Sequence, residues 1–200
     1  MNKNTDKELL RDKLLTVLTT EKPSHGLNEL RETGVMEIII PDMMPTYNTW
    51  QTIHHHSFVW DHILRVVDKV PNKPLLRLAA LLHDIGKPET LTVGENGATH
   101  FYGHEAVSAK MAETAMRDLK FSDEDIHYVK TLVKEHMRLG NYANSNPTRR
   151  ALRRLLRDVG NDYFDDFLEL CHADKTSCAE ESQREDLASR VRAMLADMRK

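Results

Sequence analysis

The sequence places a histidine and an aspartate side by side at the end of a strongly apolar segment. Residues 75–82 are almost wholly apolar, a pattern typical of a helix buried on all sides, and His83 and Asp84 follow directly. Gly86 and Pro88 predict the end of that helix. A buried carboxylate needs a partner or gives up its charge, and a divalent metal bound by imidazole and carboxylate groups is one such partner. The alternative is a core His83–Asp84 pair that satisfies itself and caps the turn.

Four more ionisable side chains fall on apolar faces of predicted helices: His62, His104, His136 and Asp174. His136, for example, follows Val133 by three residues and Leu132 by four, so it shares their face. Each group left unpaired would cost about 1–3 kcal/mol or more, against a net stability on the order of 5–15 kcal/mol. Gathering them around metal ions removes that cost from all of them. Nitrogen and oxygen ligands suit Mg, Mn, Fe, Co, Ni or Zn, and the spacing does not choose among these metals.

The elements that must position these groups are predicted to be helices, because apolar residues recur at helical spacing along most of the chain. Pro23-Ser24-His25-Gly26 is predicted to break the first helix, and Asn146-Pro147 to cap and begin an arginine-rich one. Residues 90–93 and 98–101 flank a glycine-bounded turn and predict a small β-hairpin. We therefore expect one compact all-α domain, with N-terminal helices in 1–50, a core in 51–180 and a C-terminal helix in 181–200.

Composition argues against several classes of protein. The 200 residues carry a formal net charge of −3, so no overall positive field draws the chain to nucleic acid or membranes. No apolar run is long enough to span a bilayer, and no signal-peptide pattern follows Met1. Cys171 and Cys178 do not form a C-x-x-C motif, which favours buried thiols in a reducing cytosol. These observations predict a cytoplasmic protein.

A series of motifs gives these residues a family resemblance. The succession of His62, His83-Asp84 and Asp174 resembles the HD superfamily of metal-dependent phosphohydrolases. Several segments resemble more closely the HD region of bacterial CCA-adding tRNA nucleotidyltransferases: Trp60-Asp61-His62, 78–88 (LAALLHDIGKP), 100–105 (HFYGHE), 134–137 (KEHM), 151–154 (ALRR) and Ala173-Asp174. Residues 23–27 and Gly34 resemble the segment that enters that region.

The sequence also departs from those relatives. The Gly-rich loop and paired catalytic aspartates of the nucleotidyltransferase head have no counterpart in it. Phe58 stands where the relatives often carry the aspartate of a His-His-Tyr-Asp run, and Ile63 where they often carry threonine. The missing carboxylate at Phe58 puts a substrate role of that position in question, whereas the metal ligands are intact.

The resemblance implies a hydrolytic site with one or two divalent ions per chain. A first ion would be held by His62, His83, Asp84 and Asp174. A second would lie at His104 and His136, with Asp84 bridging, and a hydroxide between the metals would attack phosphorus. Asp84 and Lys87 would be the catalytic residues, since Lys87 follows Asp84 by three residues and can reach a phosphate oxygen. The alternative for Lys87 is a lysine that merely favours a helix C-terminus.

Two further segments offer substrate contacts. Arg149, Arg150 and Arg153 belong to a five-arginine helix that could bind phosphate or RNA beside the metals. A solvated helix face with acidic partners is the alternative. His55 and His56 could form an outer wall of the substrate site, or an exposed turn.

These inferences predict a metal-dependent phosphohydrolase, a phosphatase or phosphodiesterase. Its substrate would be a nucleotide or RNA-end phosphoester, either a phosphomonoester or a 2′,3′-cyclic phosphate, with tRNA or other RNA as a partner. A signalling-nucleotide hydrolase is one alternative, although a G-Y-P motif after the His-Asp pair and a Glu-Asp pair of the ppGpp-hydrolase kind are both missing. A non-catalytic RNA-binding or partner-binding module is the other. The oligomeric state stays open, a homodimer included.

Overall fold

The computed structural model describes residues 3–51, 57–142, 147–177 and 187–198. The α-helices in these residues are α1 (Lys3–Leu18), α2 (Pro23–Glu32), α3 (Val35–Ile39), α4 (Val59–Lys69), α5 (Pro74–Leu82), α6 (Lys87–Thr90), α7 (His104–Asp118), α8 (Asp123–Glu135), α9 (Arg149–Val159), α10 (Phe164–Thr176) and α11 (Leu187–Met198). Pro41–Tyr47 and His136–Tyr142 form 3₁₀ helices, and the strands are β1 (Trp50–Gln51), β2 (Ser57–Phe58), β3 (Thr92–Val93) and β4 (Thr99–His100). The predicted all-α fold is confirmed.

Helix α5 lies at the centre of the fold and packs against α1, α4, α7, α8 and α10. Every side chain from Leu76 to Leu82 is buried, as the apolar run predicts. Arg77 is buried with them, and its Nη1 donates to the carbonyl oxygens of Leu18 and Thr20 at 2.6 and 2.7 Å. The guanidinium thereby satisfies carbonyl groups that the end of α1 leaves without helical partners.

The first helix ends at Leu18, before Pro23-Ser24-His25-Gly26 as predicted, but these four residues do not form the break themselves, because they are the first turn of α2. Pro23 occupies the start of the helix, where its missing N–H is not needed and its fixed φ is suitable. Gly26 allows α1 and α2 to pack closely, since a Cβ there would lie 2.8 Å from Cγ1 of Val17.

The start of the arginine-rich helix also differs from the prediction. Thr148 is the N-cap of α9, and its hydroxyl accepts a hydrogen bond from the backbone nitrogen of Ala151 at 3.1 Å. Pro147 therefore precedes the cap instead of occupying the first turn, and Asn146 lies outside the described residues. A threonine directly before a helix is as good a cap signal as the Asn-Pro pair and fits the helix start better.

Two small antiparallel sheets accompany the helices. The predicted hairpin is confirmed, with Thr92 opposite His100 and Gly97 at φ +77° in its turn. The second sheet, in which β1 pairs with β2 and Trp50 lies opposite Phe58, was not predicted. Two-residue strands are too short for an alternating pattern to be visible in the sequence.

At the other end of the chain, α11 packs against α10. The division into 1–50, 51–180 and 181–200 stays a prediction. Among the described residues, every helix is too short or too polar to cross a membrane.

Candidate metal centre

The turn after α5 places His83 and Asp84 deep inside the molecule, where both are at most 1% exposed. Gly86 lets this turn lie directly against α7, because a Cβ at Gly86 would come within 2.6 Å of the backbone nitrogen of Ser108. The φ of Gly86 is −85°, so glycine is needed here for close packing and not for an unusual backbone conformation.

Four other helices bring the remaining side chains to the same place. His62 lies within α4, His104 is the first residue of α7, His136 directly follows α8, and Asp174 lies near the end of α10. The three imidazoles are buried, and the Asp174 side chain is 21% exposed. Gly103, at φ +77°, allows the chain to turn sharply into α7 just before His104.

One group of ligand atoms surrounds Nε2 of His62. This nitrogen lies 2.9 Å from Oδ1 of Asp174, 3.3 Å from Nε2 of His83 and 3.4 Å from Oδ2 of Asp84. Nε2 of His83 lies 3.2 Å from the same Asp84 oxygen and 3.7 Å from Oδ1 of Asp174. Metal–ligand bonds of about 2.1 Å separate neighbouring ligand atoms by roughly 3.0–3.4 Å in octahedral or tetrahedral shells. The ligand atoms of His62, His83 and Asp174 lie close enough together to share one divalent ion, and His83 also forms a group with Asp84 and His136.

The other carboxylate oxygen of Asp84 faces a second pair of imidazoles. Oδ1 lies 3.2 Å from Nε2 of His104 and 3.8 Å from Nε2 of His136. The rings of His104 and His136 contact each other edge to face, with centroids 5.3 Å apart. Asp84 therefore presents one oxygen to each group, the arrangement expected of a carboxylate that bridges two ions.

Backbone carbonyl groups fix the orientation of three imidazoles. Nδ1 of His83, His104 and His136 donates to the carbonyl oxygen three residues earlier, at 2.7, 2.7 and 2.6 Å. Because a carbonyl oxygen only accepts, Nδ1 carries the hydrogen, and in the neutral ring Nε2 presents its lone pair to the site. Metal-binding histidines are generally held in this way through the nitrogen remote from the metal.

The charges of the site depend on one another. Burial alone would raise the pKa of Asp84, but His83 and Lys87 hold that pKa well below its usual range. Burial alone would lower the pKa of His83, yet the Asp84 and Asp174 carboxylates raise it to about 10. Burial and the His83 charge lower the pKa of His136 to about 4, so this ring is neutral at pH 7. Histidine binds a metal in its neutral form, so a divalent ion would displace the proton of His83. The ion would then supply the positive charge that stabilises the Asp84 and Asp174 carboxylates.

Several buried polar atoms of the site have no hydrogen bond of good geometry within the part of the chain that the structure describes. They are Oδ1 of Asp84 and Nε2 of His104 and of His136, whereas Oδ2 of Asp84 pairs with the Lys87 ammonium. Unsatisfied buried groups of this kind cost about 1–3 kcal/mol each. A cation satisfies a convergent set of lone pairs, and the nitrogen and oxygen donors match the borderline to hard divalent metals. The residues present therefore fit a divalent metal site.

Lys87 is buried beside Asp84 instead of lying exposed at a helix C-terminus. Its Nζ lies 2.7 Å from Oδ2 of Asp84 and donates to Oε1 of Gln51 at 2.7 Å. The Phe101 ring lies under it, 5.5 Å from the ammonium to the ring centroid. Gln51 was not singled out in the sequence, because nothing in the spacing connects it with a lysine 36 residues away.

The arginines of α9 lie on its solvent face. Leu152, Leu155 and Val159 are buried against the core, whereas all five arginines are exposed. Arg157 pairs with Asp158 at 2.9 Å. Among the described residues, no acidic side chain forms an ion pair with the other four: Arg149, Arg150, Arg153 and Arg154. Helix α9 packs on α8 and α10. His136 directly follows α8, and α10 carries Asp174. His55 and His56 lie outside the described residues, and their predicted role is untested.

The fold and this site define the class of protein. Residues 52–177 match the family model of the HD domain, and the chain belongs to that family, a family of metal-dependent hydrolases whose domains bind divalent metals.

Three relatives are tRNA nucleotidyltransferases or CCA proteins by name. The CC-adding tRNA nucleotidyltransferase of Thermus thermophilus is 33% identical over 137 residues, which cover 66% of this chain and 32% of the relative. The A-adding tRNA nucleotidyltransferase of Deinococcus radiodurans is 30% identical over 65% of this chain and 31% of its own length. The multifunctional CCA protein of Aromatoleum aromaticum is 34% identical over 60% and 30%. The chain thus spans about a third of the length of these curated relatives, and the resemblance to the HD region of tRNA nucleotidyltransferases is confirmed.

Proposed function

We propose that this chain is a metal-dependent phosphohydrolase that cleaves a nucleotide or RNA-end phosphoester, either a phosphomonoester or a 2′,3′-cyclic phosphate. The observation that carries the proposal is the position of Asp84, which presents one oxygen to each group of histidines. A buried ammonium, that of Lys87, lies 2.7 Å from the same carboxylate. A site with two cation positions and a fixed positive side chain suits phosphoryl chemistry, in which negative charge must be neutralised.

The six ligand side chains have distinct roles in this proposal. His62, His83, Asp84 and Asp174 would hold the first ion, and His104 and His136 would hold the second together with Asp84. Such ions, when bound, supply a water of lowered pKa and positive charge near the phosphoryl oxygens. Asp84 would offer one carboxylate oxygen to each position, and the Lys87 ammonium would donate to a phosphoryl oxygen.

The proposed substrate class is supported by the relatives and by α9. The similar proteins act on tRNA by their names, so an RNA end is a reasonable substrate here. Arg149, Arg150 and Arg153 are exposed and carry no ion pair within the described residues, which leaves their guanidinium groups available to RNA phosphates.

The same arginines favour a second candidate, a non-catalytic RNA-binding module. Four exposed guanidinium groups on one helix can bind an RNA backbone without any chemistry. A module of this kind, however, has no chemical use for six converging ligand side chains whose lone pairs face one another. The catalytic proposal accounts for both features.

A panel of phosphoesters tests the proposal. We expect metal-loaded protein to release phosphate or open the ring of at least one of four classes: p-nitrophenyl phosphates, mononucleotides, 2′,3′-cyclic nucleotides and RNA ends. The panel is run with Mn²⁺, Ni²⁺, Co²⁺ and Mg²⁺, and Asp84→Ala serves as the control, with turnover at background. RNA binding without turnover of any substrate would instead support the non-catalytic module.

A further inference from the structure

Gln51 is a buried residue of the site that lies outside the proposed metal ligands. It is 1% exposed, whereas its neighbour Trp50 on the same strand is 44% exposed, as expected when successive side chains of a strand point to opposite faces. The Gln51 side chain therefore lies on the buried face of β1, where its amide contacts Lys87 beside Asp84.

The hydrogen bond with Lys87 determines which way this amide is oriented. An ammonium group only donates, so the amide atom 2.7 Å from Nζ of Lys87 must be the oxygen Oε1. The amide nitrogen Nε2 then points elsewhere, and within the described residues this buried donor finds no acceptor. Leaving it unsatisfied costs about 1–3 kcal/mol, which an acceptor supplied by a ligand would remove.

The backbone of Gln51 is held in place by neighbouring elements. Gln51 pairs with Ser57 across the β1–β2 sheet. The Ser57 hydroxyl accepts a hydrogen bond from Nη2 of Arg65 at 2.9 Å, and Nε of Arg65 donates to the Ser177 carbonyl at 3.1 Å. This chain of contacts ties β1 to α4 and to the end of α10, so the amide is presented at a defined position relative to the metal ligands.

We propose that Gln51 is a phosphate-binding residue: its Nε2 donates to a phosphoryl oxygen of the substrate while its Oε1 positions Lys87. The inference rests on the proposed function, because it takes a phosphoester as the ligand. Phosphoryl oxygens only accept hydrogen bonds, so an amide N–H and an ammonium held side by side match two oxygens of one phosphoryl group. When metal ions share the charge of Asp84, Oε1 of Gln51 is the remaining acceptor that keeps the Lys87 ammonium in place.

A double-mutant comparison separates direct contact from an effect through Lys87. Inorganic phosphate is titrated calorimetrically into Mn²⁺-loaded wild type, Gln51→Met, Lys87→Met and the double variant. We expect Gln51→Met to weaken phosphate binding about tenfold in both backgrounds, the scale of one charge-assisted hydrogen bond. An effect that disappears in the Lys87→Met background would reduce Gln51 to a support for Lys87 and overturn the inference. Wild type that does not bind millimolar phosphate would overturn it too.

Two controls keep the result interpretable. Trp50→Phe alters the exposed face of the same strand and should leave phosphate binding unchanged. If Gln51→Met does not fold, Gln51→Glu tests the same position, because it keeps an acceptor for Lys87 and puts a carboxylate oxygen where the Nε2 donor stood; binding as tight as wild type would again overturn the inference. Phosphate binding that depends on Gln51 in a protein without turnover would refute the proposed hydrolysis alone, whereas turnover that is indifferent to Gln51→Met would refute the inference alone.

Discussion

Asp84 is the residue whose two carboxylate oxygens face different pairs of histidines. Its Oδ2 faces His62 and His83, and its Oδ1 faces His104 and His136. A carboxylate buried in this way is stabilised by the positive charge around it. Replacing Asp84 should therefore weaken metal binding, and removing the metal should destabilise the buried Asp84 carboxylate. The histidines differ from it, because each of them faces only one of its two oxygens.

This difference predicts distinct metal contents. Purified wild type should contain or take up one to two divalent ions per chain by elemental analysis. Asp84→Ala removes an oxygen from both positions and should abolish metal uptake, whereas His104→Ala or His136→Ala should halve the metal content and sharply reduce turnover. Equal metal in wild type and Asp84→Ala would contradict the metal site. Unchanged turnover in both histidine variants would leave a single ion, with His104 and His136 supporting it.

The turn between α5 and α6 contains Gly86, which has the closest neighbour of the glycines in the described residues: a Cβ there would lie 2.6 Å from the backbone nitrogen of Ser108. Gly86 donates its N–H to the Ser108 hydroxyl at 2.9 Å, and this contact sets the distance between the His83–Asp84 turn and α7, which carries His104. Any added side-chain atom must push the two elements apart, since the nearest atom is backbone.

We therefore predict that Gly86→Ala lowers the free energy of unfolding by about 1–3 kcal/mol, the usual cost of overpacking, and weakens metal binding as His104 moves from Asp84. Urea denaturation and metal titration measure the two effects. Gly140→Ala is a matched control, because a Cβ at Gly140 meets nothing within 4 Å. A Gly86→Ala variant as stable as this control would show that α7 can shift without cost.

The arginines of α9 allow RNA binding to be tested separately from metal binding. Arg149→Ala and Arg153→Ala should each weaken the binding of an RNA oligonucleotide and lower the salt dependence of that binding, because each removes about one phosphate contact. Metal content should stay unchanged. Arg157→Ala is the control, since this guanidinium already pairs with Asp158. Identical RNA affinities in all three variants and wild type would show that these arginines do not contact RNA and only face solvent.

At the scale of the whole molecule, the candidate metal site brings together helices that are far apart in sequence. The six proposed ligands come from α4, the α5 turn, α7, the end of α8, and α10. The unfolded chain cannot present them together, so metal binding must favour the folded state.

Thermal unfolding should report this coupling. At a metal concentration about 100 times Kd, the stabilisation is about 2.7 kcal/mol, which corresponds to an increase in Tm of roughly 5–10 °C for a domain of this size. Mn²⁺ or Ni²⁺ should raise the Tm of wild type, EDTA should reverse the increase, and Asp84→Ala should not respond. An equal increase in Asp84→Ala would place the ions elsewhere on the protein.

The sequence by itself determined the helical fold and the candidate ligands. Helix periodicity put His62, His104, His136 and Asp174 on apolar faces, and a buried ionisable group needs a partner wherever the chain takes it. The glycines that bound the turn predicted the hairpin at 92–100. These features depend on neighbours within a few residues, which the sequence displays directly.

Only the tertiary structure decided which of these residues faces which oxygen of Asp84. The two oxygens of one carboxylate have the same sequence position, so no spacing can say which imidazole each of them faces. The role of Gln51 also depends on a contact across 36 residues, made through two strands too short to leave a pattern. The sequence also left the start of α2 undecided, because proline both ends a helix and suits the first turn of one. The structure shows that Pro23 begins α2.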